Sequence, residues 1–377
     1  MAVAIAVDYR VLSRYAYLIY GGTVLALLYV LFFGTIASGA RRWIQLGPLT
    51  IQVSEFAKIS LIIILAKYFE TGKLQGQFHF KDLIVPALFT GILGGLIVRQ
   101  PDLGTALVYF GMLIVVIFWA GIRPLHFFLL LAPAVSMIAA FQTLSFFLWM
   151  GLIIVILYFG NLPFWTKIFN FSINVALGGI TNLLWALLKP YQQQRILSVL
   201  DTDSDPLGAG YQVSQSLTAF GSGGPFGKGF GEGTQTHLKF LPEQHTDFIM
   251  TVIGEEFGFI GVLIVIGLFY LLIAKLINQA YSSKYRFDSV ILIGFAAVLV
   301  FHTFVNLGMI AGIMPVTGIP LPYISYGGSF MLTTMILAGL SVNMGTLRRA
   351  SRYGDRPPAK VHNNVASPCA EVKFTAV

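Results

Sequence analysis

The chain has 377 residues, of which 56% are hydrophobic and only 11% are charged, and its net charge is +8. A soluble domain carries about 25% charged residues, so this composition excludes an ordinary globular protein. Apolar runs of about 20 residues recur along the chain, which is typical of a helical protein that crosses a membrane many times. A transmembrane β-barrel would instead show short segments of alternating polarity. We therefore predict an all-α polytopic membrane protein.

Ten apolar stretches are candidate membrane spans. Arg10 and Arg14 precede the first stretch, as in a secretory signal, but its apolar core is longer than that of a signal. We therefore predict an uncleaved first helix. The sixth stretch, in "FFLWMGLIIVILYFG", is short and close to its neighbours. The predicted spans are about 13–34, 55–70, 82–99, 104–121, 126–143, 145–160, 165–188, 247–275, 288–313 and 327–346.

Lysine and arginine are distributed unequally between the two sides of this predicted bundle. With ten spans both termini lie on one side, and that side carries 16 of the 24 basic residues. Seven lie on the other side, four of them in the long loop 189–246, and long loops count little in the positive-inside rule. We therefore predict cytoplasmic termini and an extracytoplasmic loop over 189–246. The net charge is then a topology signal beside anionic lipid and no indication of nucleic acid binding.

The end of the chain differs from the rest in composition. The stretch "DRPPAKVHNNVASP" cannot bury a core, so we predict a transmembrane domain over 1–350 and a disordered cytoplasmic tail over 351–377. The single cysteine, Cys369, lies in this tail, so no disulfide can form within the chain. No Cys or His cluster has the spacing of a metal site.

The loop 189–246 is long, polar and rich in glycine. Nine glycines fall between Gly208 and Gly233, in "GAGYQVSQSLTAFGSGGPFGKGFGEG", yet neither the P-loop nor the dinucleotide-binding pattern fits any register. Loops of this length are usually functional or disordered, and the apolar residues of this one argue against disorder. It is either a flexible outer loop or backbone shaped to lie close to a ligand.

Several polar residues lie within or beside the predicted spans, where an unpaired charge is costly. Glu55 and Lys58 are three positions apart on one helical face and could neutralise each other. In "VRQPDLGTA", Arg99 and Asp102 lie between two spans, with Asp102 a candidate helix N-cap. Asn306 lies within the ninth span. Each is either a structural residue or part of a functional site.

Two further segments on the predicted outer side stand out. Arg41 and Arg42 oppose the orientation signal of the rest of the chain. They form either an interfacial belt with Trp43 or a site for an anionic partner, since guanidinium groups bind phosphate oxygens in bidentate geometry. We favour the anionic partner. The connection "MPVTGIPLPYISYGGS" cannot be regular helix, and such backbone is tolerated near a membrane where it lines a cavity.

Five motifs, in this order, together resemble the shape, elongation, division and sporulation family. They are "GARRWIQLG…QVSEFAK", "RQPDLGTA", "DPLGAGYQ…GTQTHLKFLPEQHTDFI", "GEEFGFIG" and "NLGMIAGIMPVTGIPLPYISYGGS". The resemblance covers roughly residues 10–350, and "GTQTHLKFLPEQHTDFI" is more similar to the elongation branch than to the division branch. Val53 replaces a usual proline, and Arg99 replaces a usual lysine with its charge kept. Members of the family polymerise lipid II into peptidoglycan glycan strands.

The resemblance implies that Asp247 is the essential acidic residue. Glycan polymerisation needs a base for the attacking sugar hydroxyl, a role in which a carboxylate contributes roughly 10²–10⁴ in rate. The alternative is a structural role, in which the Asp247 carboxylate complements a helix dipole and stabilises the helix by under about 1 kcal/mol. Arginines, lysines or a divalent cation such as Mg²⁺ or Mn²⁺ can stabilise the departing pyrophosphate. The candidate substrate-binding residues are Arg41, Arg42, Lys58, Arg99, Asp102, Lys239, Glu243 and His245.

The expected function is an inverting, processive glycosyltransferase that acts on lipid II at the outer face of the bacterial plasma membrane during elongation. A lipid II flippase is the alternative, because it also needs a polar path and arginines for pyrophosphate. A scaffold that only recruits an enzyme would leave the polar cluster unexplained. The resemblance implies as partners the growing polyprenyl-linked glycan, a class B penicillin-binding protein and other elongation-complex membrane proteins. The chain itself has no Ser-x-x-Lys transpeptidase motif.

Overall fold

The computed structural model describes residues 1, 5, 8–37, 40–47, 49–71, 80–188, 192–195, 197, 208–237 and 243–352. Each of the ten predicted spans overlaps an apolar helix. Among these described residues, six helices are long and apolar enough to cross a membrane, so the predicted helical membrane fold is confirmed, while the count of ten crossings stays a prediction. The predicted tail lies outside the described residues from 353 onward. The helices are α1 (Tyr9–Phe33), α2 (Val53–Thr71), α3 (Phe80–Arg99), α4 (Leu103–Trp119), α5 (Pro124–Ala139), α6 (Thr143–Phe159), α7 (Phe164–Leu187), α8 (Ala209–Ser222), α9 (Thr234–His237), α10 (Ile249–Tyr281), α11 (Arg286–Ile310) and α12 (Gly328–Arg352).

The all-α prediction is incomplete, because a small antiparallel sheet follows α1. Its strands β1 (Thr35–Ala37), β2 (Ala40–Leu46) and β3 (Leu49–Gln52) are hydrogen-bonded in sequence order. Gly47 follows β2 directly and has a left-handed φ of 61°, the conformation that tight turns between antiparallel strands use. The sheet carries Arg41 and Arg42 on its middle strand.

Helix α11 lies at the centre of the bundle. It packs against α2, α4 and α10, and it is buried along most of its length. A helix that is hydrophobic on every face needs such surroundings. Because its C-terminal end is buried as well, polar residues there face other protein segments and not lipid.

Helices α5, α6 and α7 form a three-helix unit with a hydrophobic core of its own, built from α5 and α6. A buried polar contact supports this unit. The Ser136 hydroxyl donates to Asn174 Oδ1 at 2.6 Å and accepts a hydrogen bond from the Trp149 indole at 2.9 Å. The core residues are Leu129, Ala132, Met150, Ile153 and Leu157.

Helix α10 is interrupted at Gly258, whose φ of 69° and ψ of −168° are not helical. The glycine-rich segment, residues 221–231, fills the interruption with its backbone. Its carbonyls at 224 and 225 accept from the N–H groups of residues 259 and 260, and its N–H groups at 228 and 229 donate to the carbonyls of residues 255 and 256. The sequence analysis predicted either a flexible outer loop or backbone that lies close to a ligand. The structure shows that the glycines instead lie close to another helix of the same chain.

Candidate active site

Residues 243–248 form a turn, here called the acidic turn, directly before α10. The Glu243 carbonyl accepts hydrogen bonds from the N–H groups of Thr246 (3.1 Å), Asp247 (3.1 Å) and Phe248 (3.3 Å). Glu243 itself has a φ of 54°, a left-handed conformation that costs a non-glycine residue about 1 kcal/mol or more. Such strain persists only where the surroundings fix it, and it clusters at functional sites.

The acidic turn lies against residues 311–327, here called the α11–α12 connection. This connection has no regular helix or strand, as predicted from its prolines and glycines. Gly318, with a φ of 70°, lies beside the Asp247 carboxylate, and a Cβ atom added there would be 3.2 Å from Oδ2. A glycine at this position therefore leaves space at the carboxylate that any other residue would fill.

The Asp247 carboxyl group lies just outside the membrane-spanning helix, in surroundings that oppose its charge. Burial raises its pKa to about 6, and the neighbouring Glu243 adds to the rise while Arg195 opposes it. A carboxylate with a pKa near the working pH accepts a proton more readily than an ordinary one and is still mostly ionised at neutral pH. The raised pKa of Asp247, together with the space beside Gly318, therefore suits a general base.

The other titratable groups of the acidic turn are more exposed. The Glu243 carboxylate accepts from the Thr246 hydroxyl at 3.0 Å, and its charge acts on Asp247 as described. His245 Nε2 lies 3.3 Å from the side-chain nitrogen of Gln244. The histidine also lines an open cavity of ≈ 460 Å³ beside the turn, together with Ile249, Ile324, Ser325, Tyr326, Gly327, Gly328 and Met331.

Arg42 forms a second polar cluster with the turn between α3 and α4. Its guanidinium donates to the carbonyls of Gln100 (3.1 Å) and Pro101, and it lies 4.0 Å from the Asp102 carboxylate. Asp102 is the N-cap of α4, as predicted, and accepts from the Thr105 N–H at 3.2 Å. The contacts of Arg42 could not be predicted from sequence, because they join segments about 60 positions apart.

The remaining predicted arginines differ in their surroundings. Arg41 is exposed and donates to the carbonyl of Phe32 at 3.1 Å, which fixes it against the end of α1. Arg99 is exposed in the last turn of α3. Lys239 lies outside the described residues. Among the described residues no three His, Cys, Asp or Glu side chains are grouped to hold a metal ion, so the divalent cation for the pyrophosphate stays a prediction.

Lys58 lies deep in the bundle and is 1% exposed. Its ammonium group is 2.8 Å from the Glu55 carboxylate and 3.2 Å from His302 Nε2, and it lies over the ring of Phe330. Glu55 and Lys58 therefore form a buried ion pair, which their spacing on one helical face allowed. A direct role of Lys58 toward pyrophosphate stays a prediction. Sequence reasoning missed His302, whose only signal was a histidine within an apolar span.

Another buried charged residue, Glu255 of α10, connects the glycine-rich segment to the helix. Its carboxylate accepts from Lys228 Nζ at 2.8 Å and from the Gln235 N–H at 3.0 Å. Glu255 is fully buried, whereas Lys228 is partly exposed. Because a buried carboxylate needs partners of this kind, this pair indicates a structural role in fixing the segment upstream of the acidic turn.

Comparison with known proteins finds one family model and several similar proteins of the same type. The family model described as "Cell cycle protein", for FtsW, RodA and SpoVE, matches residues 1–149 and 145–350. The chain is 36% identical to the peptidoglycan glycosyltransferase RodA of Treponema pallidum, over 89% of this chain and 84% of that protein. It is 35% identical to the peptidoglycan glycosyltransferase MrdB of Escherichia coli K12, over 93% of this chain and 82% of that one.

Two solved structures share the fold. A chain of the structure described as "Structural coordination of polymerization and crosslinking by a peptidoglycan synthase complex" has a TM-score of 0.68 and 34% identity, covering 94% of this chain and 86% of that chain. The rod shape determining protein RodA of Thermus thermophilus has a TM-score of 0.57 and 30% identity, covering 94% of this chain and 83% of that chain.

Proposed function

We propose that this chain, which belongs to the FtsW/RodA/SpoVE family, polymerises lipid II as a peptidoglycan glycosyltransferase of the elongation type. Its relatives are named peptidoglycan glycosyltransferases, and its apolar helices make it a multi-pass membrane protein. The reaction takes place at the outer face of the plasma membrane, with both chain termini in the cytoplasm. The single observation that carries the mechanism is the strained acidic turn, which holds the half-buried Asp247 beside Gly318.

The proposed reaction is a single displacement at the anomeric carbon of one lipid-linked sugar. A hydroxyl of the other sugar attacks this carbon while the Asp247 carboxylate takes the hydroxyl proton. The bond between the anomeric carbon and the pyrophosphate oxygen breaks, and polyprenyl pyrophosphate leaves with its electron pair. One displacement inverts the configuration at the carbon. Because the pKa of Asp247 is about 6, the residue is ready to accept a proton at neutral pH.

The leaving pyrophosphate needs positive charge, which the arginines of the sheet and of the α3–α4 turn can supply. Arg42 is oriented by its bonds to the carbonyls of that turn. The sheet is tied to the start of α12 through Ser329, whose hydroxyl oxygen accepts from the Gln52 N–H at 3.0 Å. The acidic turn contacts the adjoining α11–α12 connection. This common support favours Arg41, Arg42 and Arg99 as pyrophosphate ligands.

A second enzyme is needed to crosslink the product. The similar solved chain belongs to a peptidoglycan synthase complex that coordinates polymerization and crosslinking. This chain has no Ser-x-x-Lys motif to form an acyl-enzyme. We therefore propose a class B penicillin-binding protein as its partner.

The test replaces Asp247 by asparagine and measures glycan polymer formed from lipid II in detergent, with and without such a partner. Asparagine keeps the size of the side chain but removes the basic oxygen, so polymerisation should fall by at least about 10²-fold while lipid II binding survives. Asp247→Glu moves the carboxylate by one methylene and should rescue poorly.

The matched control is Asp82→Asn, the same change at a half-buried aspartate in the first turn of α3. It should retain the parent rate. A parent-like rate for Asp247→Asn would show that Asp247 is not the base. If the parent makes no polymer even with its partner, the lipid II flippase alternative is favoured, because a flippase forms no bond.

A further inference from the structure

The acidic turn is held by three consecutive main-chain carbonyls, those of residues 245–247. The first accepts a hydrogen bond from the Tyr326 N–H at 2.9 Å. The second accepts from the Ser325 hydroxyl at 2.5 Å. The third, the carbonyl of Asp247 itself, accepts from Nδ2 of Asn306 at 2.7 Å. All three donors lie about 60 to 80 positions further along the chain, so the turn is fixed by tertiary contacts.

Asn306 differs from the other two donors because its amide joins two structures. It is fully buried near the C-terminal end of α11. Besides the carbonyl of Asp247, its Nδ2 donates to the carbonyl of Ile319 at 2.9 Å. Since both neighbours are acceptors, the NH₂ group must face them, and the orientation of the amide is fixed.

The oxygen of the Asn306 amide differs from its NH₂ group in its contacts. Among the described residues its Oδ1 has no hydrogen-bond partner, although the atom is buried. An unpartnered buried polar atom is costly, so asparagine at this position is a poor choice for stability alone. The presence of asparagine here is better explained by the two carbonyls that its NH₂ group binds, those of Asp247 and Ile319.

We propose that Asn306 is a positioning residue for Asp247, a role that rests on the proposed function. One of its two hydrogen bonds goes to the main chain of Asp247, the proposed base. The other goes to the carbonyl of Ile319, which follows Gly318, the residue beside the Asp247 carboxylate. Asn306 thereby sets the distance between the base and the wall next to it, and Ser325 supports the same turn one residue earlier. Reaction rates are sensitive to displacements of about 1 Å in such groups.

Loss of the Asn306 contact should also change how the Asp247 carboxyl group titrates. Among the described residues, the charged groups that act on the Asp247 carboxyl are Glu243 of the acidic turn and Arg195 of residues 192–195. The α11–α12 connection places Gly318 there, which has no charge. A turn released from Asn306 becomes more hydrated, and hydration favours the ionised carboxylate. The acid limb of the pH–rate profile should therefore move to lower pH.

The experiment compares Asn306→Leu, which keeps the number and branching of the side-chain heavy atoms but removes both N–H donors, with the parent enzyme in lipid II polymerisation. We expect kcat to fall about 10- to 10²-fold with the KM for lipid II within about threefold, and the acid limb to move down. The matched control is Asn174→Leu, since Asn174 is also fully buried and its Nδ2 donates to a carbonyl, that of Asn170. Asn174→Leu should keep the parent kcat and acid limb.

A folded Asn306→Leu variant with the parent kcat and acid limb would overturn the positioning role, and so would an equal loss in Asn174→Leu. If Asn306→Leu does not fold, Ser325→Ala takes its place and should lower kcat about three- to tenfold with the same shift of the acid limb. Parent-like values for Ser325→Ala would then overturn the proposal. An inactive parent would contradict the proposed function, whereas an active parent with equally active variants contradicts only the positioning role.

Discussion

Burial, together with the neighbouring Glu243, opposes the charge of Asp247 and determines how pH acts on this residue. Its folded-state pKa is about 6, against about 3.9 for an unperturbed aspartate. The native state therefore binds more protons than the unfolded state between these two values. The stability that this group contributes is present below the unfolded pKa and is lost as pH rises through the folded pKa. Activity has the opposite dependence, because the base must be ionised.

The parent enzyme should therefore polymerise lipid II faster as pH rises through about 6. Over the same range its thermal stability in detergent should fall, because ionisation places a charge in buried surroundings. Asp247→Asn should remove this contribution to the pH dependence of stability. Rates and unfolding temperatures measured from pH 4.5 to 8 test both effects, with Asp82→Asn as the control. An acid limb near pH 4 would contradict the perturbed environment of Asp247.

Asp247 could be predicted as the candidate base from sequence, but its environment could not. Three titratable groups within five positions, together with the family motif, indicated Asp247. The burial that raises its pKa depends on contacts such as those of Asn306 and Gly318, which are distant in sequence. Asn306 itself was noticed only as a polar residue in an apolar span. For Arg42 the phosphate-binding hypothesis rested on residue type, and its carbonyl partners appear only in the folded chain.

At the scale of elements, the interruption of α10 depends on main-chain contacts with the glycine-rich segment. Gly258 has a backbone conformation that only glycine adopts readily. A Cβ atom there would collide with the main-chain nitrogen of Gly227 and the carbonyl of Pro225. The hydrogen bonds lost at the break are replaced by those of the segment, so the two structures stabilise each other.

Gly258→Ala should therefore lower the unfolding temperature in detergent markedly, with a cost in the free energy of unfolding of about 1–3 kcal/mol or more. The matched control is Gly267→Ala in the same helix, where an added Cβ atom meets no neighbour within 4 Å. Alanine is the better helix former, so this control should be neutral or slightly stabilising. Equal unfolding temperatures for the two variants would contradict the account of the break.

Helices and irregular elements differed in how well the sequence predicted them. Long apolar runs gave the helices, because hydrophobic length is the strongest signal in a membrane protein. The sheet over 35–52 was missed, since its strands are short and lie beside a span. The break in α10 was also missed. A single glycine within a helical pattern is normally tolerated, and the conformation of Gly258 follows from a segment that precedes it by about 30 positions.

At the scale of the whole molecule, one connection joins the two polar clusters. The α11–α12 connection holds the acidic turn, and the start of α12 holds the sheet that carries Arg42. The three-helix unit α5–α7 has a separate core. The candidate base and the arginines of the sheet are thus supported by the same part of the bundle, although about 200 positions separate them in sequence. This arrangement requires that the acidic turn and the sheet share one side of the membrane.

The orientation of that side can be tested with a single cysteine. Ser222 ends α8 and is exposed, and the distribution of basic residues predicts that the loop 189–246 is extracytoplasmic. In a Cys369→Ser background, Ser222→Cys should react with a membrane-impermeant maleimide in intact cells. Ser283→Cys, in the connection between α10 and α11, is the matched control and should react only after lysis. Lipid-linked substrate at the outer face can reach Asp247 only in this orientation. The reverse labelling pattern would place the acidic turn in the cytoplasm and exclude the proposed site of polymerisation.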